Sequence, residues 1–178
     1  MQTNKKYVEP GKELPVSYEV DVLVCGGGPS GIAAAVSAAK NGAEVMLIER
    51  FNCLGGQGTI GLVTSFMSMS AYTGGRQVIK GVWEEFTNLL EEMGGCIKPL
   101  DMAEKKPYFA VNRHEPDTAI CPFDPELYKI AADRLMEKYG VKVLFHTYIT
   151  SAIMDGKEAK GVIIENKSGR QAIFAKRI

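Results

Sequence analysis

Gly26, Gly28 and Gly31 stand at the spacing GxGxxG in the run Gly26-Gly27-Gly28-Pro29-Ser30-Gly31, and the carboxylate of Glu49 lies 21 positions after Gly28. That combination suits dinucleotide binding. Gly26 permits a tight turn, Gly28 lets the backbone approach a pyrophosphate, and Gly31 lets the following helix sit close on a strand. Pro29 suits the first helical position, because its missing N–H costs nothing there. The free amides of such a helix start, at Ser30 and Gly31, and its positive dipole end favour phosphate. Glu49 would accept hydrogen bonds from a ribose diol and would repel a 2′-phosphate, so NADP is disfavoured. Arg50 can lean on the bound nucleotide, with an exposed ion pair as its plainer role.

A second glycine cluster follows in Arg50-Phe51-Asn52-Cys53-Leu54-Gly55-Gly56-Gln57-Gly58-Thr59. Successive N–H groups at Gly55 and Gly56 can line a pyrophosphate or a flavin edge. Other reactive side chains give less. Cys25, Cys53, Cys96 and Cys121 show no CxxC pairing, and the histidines are His114 and His146, so no metal site is expected. Reduced, structural thiols in a cytoplasmic protein are the expectation. Cys25 ends a strand and is expected to fill core. Cys53 lies beside the glycine loop but lacks a CxxxxC partner, so packing is its expected role. Arg113-His114-Glu115 could meet a carboxylate substrate, although a charged loop is more often simply solvated. His146 closes a strand and reads as structural. No catalytic residue is assigned.

The elements that must position these groups read as alternating α and β. Residues 1–18 form a loose lead-in, broken by Pro10-Gly11 and Pro15. Val20–Cys25 reads as a buried parallel strand. A small-residue helix runs from Pro29 to about Asn41 and stops at Gly42. Glu44–Glu49 is the second strand. Val78, Val82, Phe86, Leu89, Leu90 and Met93 predict a helix over 78–93, with Trp83 and Phe86 in core. Residues 96–123, with Pro99, Pro107, Pro116 and Pro122, predict a long irregular loop. Asp124 and Pro125 predict the N-cap and first position of a third helix. Its expected apolar stripe is Leu127, Ile130, Ala131 and Leu135, with Arg134 and Lys138 on the flank. Strands follow at 141–145, 147–154, 159–165 and 171–176.

The 178 residues suffice for one domain or a piece of a larger one. Lys+Arg and Asp+Glu are both 21, so charge favours neither nucleic acid nor an anionic membrane. The polar N-terminus shows no apolar signal core, and the run Ile32–Ala39 is too short to span a bilayer.

Three stretches resemble a known family: DVLVCGGGPSGIAAAVSAAKNGAEVMLIER, LGGQGT, and FDPELYKIAADRLMEKYGVKVLFHTYITSAIMDGKEAKGVIIENKSGRQAIFAKRI. They are similar to FAD-dependent oxidoreductases of the glutathione-reductase-like superfamily, in the branch related to fumarate reductase flavoprotein subunits. The resemblance covers residues 20–178 and is least specific over 62–120. It implies an α/β, Rossmann-like FAD/NAD(P)-binding domain with a parallel sheet and a small antiparallel layer over 147–176. It implies a lead-in at 1–19 and an N-terminal part of an FAD-binding domain at 20–178, with an insertion at about 60–123. It implies that Gly26, Gly28, Pro29, Ser30 and Gly31 hold the pyrophosphate and that Glu49 holds the adenosine ribose. Gly55 and Gly56 would approach FAD from the next loop, and the Ile149 backbone would pair with the adenine edge. The family continues after a strand like Ala175–Ile178 into an Ala-Thr-Gly-Asp-like motif. The expectation is therefore a portion incomplete at its C-terminus, able to self-associate or to pair with the missing part. Hydride or electron transfer would belong to the flavin, on an unknown small-molecule substrate. Two other readings stay open: an NAD-binding redox or regulatory module, and a non-catalytic fragment acting by association.

Overall fold

A computed structural model describes residues 5–67, 79–97 and 121–178. The elements run β1 (Val16–Cys25), α1 (Pro29–Lys40), β2 (Val45–Ile48), a 3-10 turn (Gly56–Gly58), β3 (Ser65–Phe66), α2 (Val82–Glu92), β4 (Cys121–Pro122), α3 (Pro125–Lys138), β5 (Lys142–Leu144), β6 (Tyr148–Asp155), β7 (Glu158–Asn166) and β8 (Gly169–Arg177). One six-stranded sheet has the order β5-β2-β1-β8-β7-β6, and β3 pairs with β4 in a separate antiparallel pair. β5, β2, β1 and β8 are mutually parallel, whereas β8, β7 and β6 are antiparallel.

The antiparallel layer expected from the sequence is present, joined to the parallel strands through β8. β8 pairs with β1 on one side and β7 on the other. Residues 145–147 alone link β5 to β6, which stand at opposite ends of the strand order. Such a link reaches about 14 Å, whereas six flat strands would span about 24 Å. The sheet must therefore curl back on itself. The packing agrees: Met46 and Ile48 of β2 share one core with Val162 and Ile164 of β7 and Ile173 of β8. The other face carries α1, α2 and α3 over Val45, Leu47 and Val141.

Two cores on two faces require alternation along β1, and a bulge sets it. The amides of Asp21 and Val22 both donate to the Glu44 carbonyl at 3.1 Å. The repeat shifts by one residue there. Val20 and Leu23 consequently face the β7 side, and Val22 and Val24 the helices. The Asp21 carboxylate anchors the bulge by accepting from the Glu44 amide at 2.9 Å and pairing with Lys176 at 2.6 Å.

Several boundaries differ from expectation. The lead-in is shorter than 1–19, because Val16 and Tyr18 already pair with Ala172 and Ile173 of β8. A distant strand supplied the partner that local sequence could not indicate. α2 begins at Val82 behind Gly81, whose φ is 73°; Val78 lies outside the described residues. In α3 the buried residues are Tyr128, Ala131, Ala132, Leu135 and Met136, while Ile130 is exposed. α3 packs on both α1 and α2, so its buried face is set by two neighbours rather than one stripe. The segment 96–123 is paired at both ends: Cys96 bridges Phe123, and β4 bonds β3. Residues 98–120, with Arg113, His114 and Glu115, lie outside the described residues. Phe86 is buried as expected, and Trp83 is half-buried with its ring edge-on to Phe66 at 6.0 Å.

One carboxylate ties the three helices together. Glu85 of α2 accepts from Lys40 of α1 at 2.9 Å, from Lys138 of α3 at 2.6 Å, and from the Tyr139 hydroxyl at 2.5 Å. Burial alone would raise the Glu85 carboxyl, but the three donors outweigh it and hold it at about 2. A depressed folded pKa stabilises the fold above the ordinary value of 4.5, and that stability is lost as pH falls toward about 2. Glu85→Gln is expected to cost about 1–2 kcal/mol at neutral pH, after allowance for solvent screening. Urea unfolding of both proteins across the acid range checks this. The gap should close on acidification, and a pH-independent gap would contradict it.

Candidate functional site

The site forms where β1 turns into α1. Gly26 has φ 117°, which a side-chain-bearing residue rarely adopts, and its amide donates to the Ile48 carbonyl at 2.9 Å. Gly28 is the N-cap of α1, with no side chain capping the helix and Pro29 in its first turn. Ser30 and Gly31 follow in that turn, where amide groups have no partner within the helix. No acidic side chain occupies the turn, so its dipole end is open to an anion.

Gly28 and Gly31 need glycine for different reasons. A Cβ at Gly31 would stand 1.9 Å from the Gly26 carbonyl oxygen. Its absence is a packing requirement between strand and helix. Gly28 has an ordinary extended backbone, φ −70°, and a Cβ there would meet nothing within 4 Å. Neither strain nor protein packing demands glycine at that position. The space it leaves lies directly over the helix start.

Glu49 follows β2 and is 6% exposed. Four hydrogen bonds fix it. Its amide donates to the Leu144 carbonyl at 3.0 Å, and its carbonyl accepts from the Thr147 amide at 3.1 Å. One carboxylate oxygen accepts from the Gly27 amide at 2.7 Å and the other from the Phe51 amide at 2.9 Å. A carboxylate offers about four acceptor sites, so two remain for a diol. The link that crosses the end of β2 holds this corner. In it, the His146 amide donates to the Phe51 carbonyl at 3.1 Å, and His146 itself takes a left-handed φ of 52°.

The second glycine loop is hydrogen-bonded to the first. The Gly55 amide donates to the Gly27 carbonyl at 2.8 Å, and a Cβ at Gly56 would stand 3.0 Å from the Gly28 Cα. Gly55 and Gly56 have φ of 109° and 50°. The buried Thr59 hydroxyl closes the loop by donating to the Leu54 carbonyl at 2.8 Å.

Gly26, Gly28, Pro29, Ser30, Gly31, Glu49, Gly55 and Gly56 are thus gathered around one helix start. Ile149 is set apart on the edge strand β6, opposite Ile164, two residues beyond the Thr147 amide that bonds Glu49. Arg50 is exposed, and its guanidinium lies 4.6 Å from the Phe51 ring centroid. Cys25 is exposed instead of filling core. Cys25 is the last residue of β1, beside the Gly26 turn where the chain leaves the sheet. Cys53 is buried, as a packing role requires. Sequence reasoning missed Gly27. Its amide and carbonyl join Glu49 to Gly55, and a Cβ on it would lie 2.5 Å from Leu54. The signal was the third glycine of an unbroken run.

Residues 21–178 match the family described as FAD dependent oxidoreductase. The chain belongs to this family. Its fold is shared by the FAD-complexed glycerol-3-phosphate dehydrogenase from Bacillus halodurans, with a TM-score of 0.52 and 18% identity over 90% of this chain and 33% of that one. It is shared too by the 3-ketosteroid-delta4-(5alpha)-dehydrogenase from Rhodococcus jostii, with a TM-score of 0.53 and 18% identity over 90% of this chain and 45% of that one. The soluble pyridine nucleotide transhydrogenase of Escherichia coli O1:K1 is 46% identical over 43 residues, 24% of this chain and 9% of its own length. The chain thus spans less than half the length of each of these relatives. The cofactor of this FAD-dependent oxidoreductase family carries an adenosine diphosphate half, and the residues present fit it. The uncapped helix start is open to an anion, Gly28 leaves its backbone bare, and Glu49 presents fixed acceptors.

Proposed function

We propose that this chain is the FAD-binding portion of a flavin-dependent oxidoreductase. The observation that carries the reading is the bond from the Gly55 amide to the Gly27 carbonyl. It sets two glycine loops side by side over an open helix N-terminus, next to a buried carboxylate. In this reading the amides of Ser30 and Gly31, with the bare backbone at Gly26 and Gly28, hold the pyrophosphate. Pro29 fixes the first turn without adding a donor. Glu49 accepts from the adenosine ribose and excludes a 2′-phosphate. Gly55 and Gly56 approach from the opposite side. The Ile149 backbone takes the adenine edge, and Arg50, held over Phe51, flanks it. When bound, FAD supplies hydride and electron transfer, and the protein supplies position and electrostatics. The substrate is a small molecule in this proposal. A cytoplasmic placement is part of this proposal, in line with cysteines that show no CxxC pairing, and among the described residues no helix is long and apolar enough to cross a membrane.

Titration of the chain with FAD and with NADH, followed by calorimetry and flavin fluorescence, tests the reading. FAD uptake is expected, and tight NADH binding without FAD uptake would reverse it. Gly28→Val provides the internal control. A Cβ at this position would meet nothing within 4 Å, so stability should fall by no more than about 1 kcal/mol, the scale of a poorer N-cap. FAD affinity should fall by at least about a hundredfold. A variant that binds FAD like its parent would show that the phosphate lies elsewhere.

A further inference from the structure

Beneath the second glycine loop lies an aromatic floor built by other elements. Tyr128, in the first turns of α3, contacts two of its glycines at once. A Cβ at Gly55 would stand 2.8 Å from Cε1 of Tyr128, and a Cβ at Gly58 would stand 3.3 Å from Cε2 of the same ring and from Cζ of Phe123. The glycine backbone therefore rests on the ring with no side chain between. The floor is continuous. Ring centroids lie 5.1 Å apart for Phe123 and Tyr128, 4.6 Å for Phe66 and Phe123, and 4.5 Å for Phe86 and Tyr128. Tyr128 is 2% exposed.

The floor is itself held firmly. Asp124 caps α3 by accepting from the Glu126 amide at 2.7 Å and the Leu127 amide at 3.1 Å. The Asp124 amide donates to the Gly95 carbonyl at 2.8 Å, just beyond α2, and the Phe123 amide to the Thr64 carbonyl at 2.9 Å beside β3. A loop with two residues at left-handed φ does not hold one shape by local bonding alone, and packing on a rigid surface restrains it.

We infer that Tyr128, seconded by Phe123, is a positioning residue for the FAD site: its ring fixes the height of the Gly55–Gly58 backbone against the Gly26–Gly28 turn. The inference rests on the proposed FAD site and adds a control on it. The elements within the segment expected as an insertion, β3, α2 and β4, thereby help set how tightly the cofactor is gripped, although none of them belongs to the glycine fingerprint.

The test measures FAD and ADP affinity for the parent chain, Tyr128→Phe, Tyr128→Leu and Phe123→Leu, with the visible absorbance and circular dichroism of bound flavin. ADP probes the first glycine turn and Glu49, and FAD needs the second loop as well. Tyr128→Phe keeps the ring and should bind FAD like the parent. Tyr128→Leu should weaken FAD by about tenfold and alter the dichroism of bound flavin, while ADP binding holds to within about threefold. If Tyr128→Leu does not fold, Phe123→Leu decides by the same criteria. Equal losses for ADP and FAD, or a leucine variant that folds and binds FAD with the parent's affinity and spectrum, would overturn the inference. A parent chain that binds neither ligand would overturn the dinucleotide reading beneath it, an outcome distinct from selective failure of the floor.

Discussion

Gly31→Val is expected to break the junction between β1 and α1. The obstacle is main chain: the new Cβ would lie 1.9 Å from the Gly26 carbonyl oxygen and 3.0 Å from its carbon. A side chain could rotate away, but this carbonyl is fixed at the end of a strand. The helix would have to lift off the sheet. That movement would disturb Ile32, Ala35 and Val36, all buried on the sheet-facing side of α1. Overpacking against backbone costs about 3–5 kcal/mol, toward the upper end for point changes. A typical domain has only about 5–15 kcal/mol in all. Denaturant unfolding of Gly31→Val beside Gly28→Val makes the contrast explicit. The first should lose most of its stability and the second little. Equal midpoints for the two would mean that helix and strand are not packed as closely as described.

Glu49→Ala should affect both stability and cofactor. The carboxylate receives the Gly27 and Phe51 amides, and removing it leaves both donors without that acceptor. Each buried, unpaired donor costs about 1–3 kcal/mol. FAD affinity should fall by at least about a hundredfold, because the acceptors proposed for the ribose and the shape of the Gly27 turn are lost together. Glu49→Gln should rescue only in part. A glutamine has one acceptor oxygen, and its NH2 would face the other amide donor to donor. FAD titration and thermal unfolding of both variants check the order parent, Gln, Ala. A glutamine variant indistinguishable from the parent would show that the second accepted amide bond contributes nothing.

Much of the fold could be read from local signals. The glycine spacing, Pro29, Asn41-Gly42 and the Asp124-Pro125 start mark conditions satisfied within a few residues. The structure places α1 and α3 accordingly, with Asp124 capping as expected. Glu49 could be singled out because its distance from the motif follows from one helix and one strand of ordinary length. What went astray depended on distant partners. Val16–Tyr18 become strand only because β8 pairs with them. Ile130 is exposed because α3 packs against two helices at once.

The sequence by itself determined the chemistry offered at one helix start: bare backbone, unpaired amides, and an acid a fixed number of residues later. These are properties of residue type and spacing. Only the tertiary structure decided how Glu49 is aimed, because the Gly27 and Phe51 amides reach it from separate turns. The tertiary structure alone also brought Gly55 onto Gly27 and laid Tyr128 beneath both Gly55 and Gly58. The physical reason is separation along the chain. Spacing encodes contacts within a strand–turn–helix unit. The height of one loop above another is set by side-chain volumes contributed from far away in the sequence.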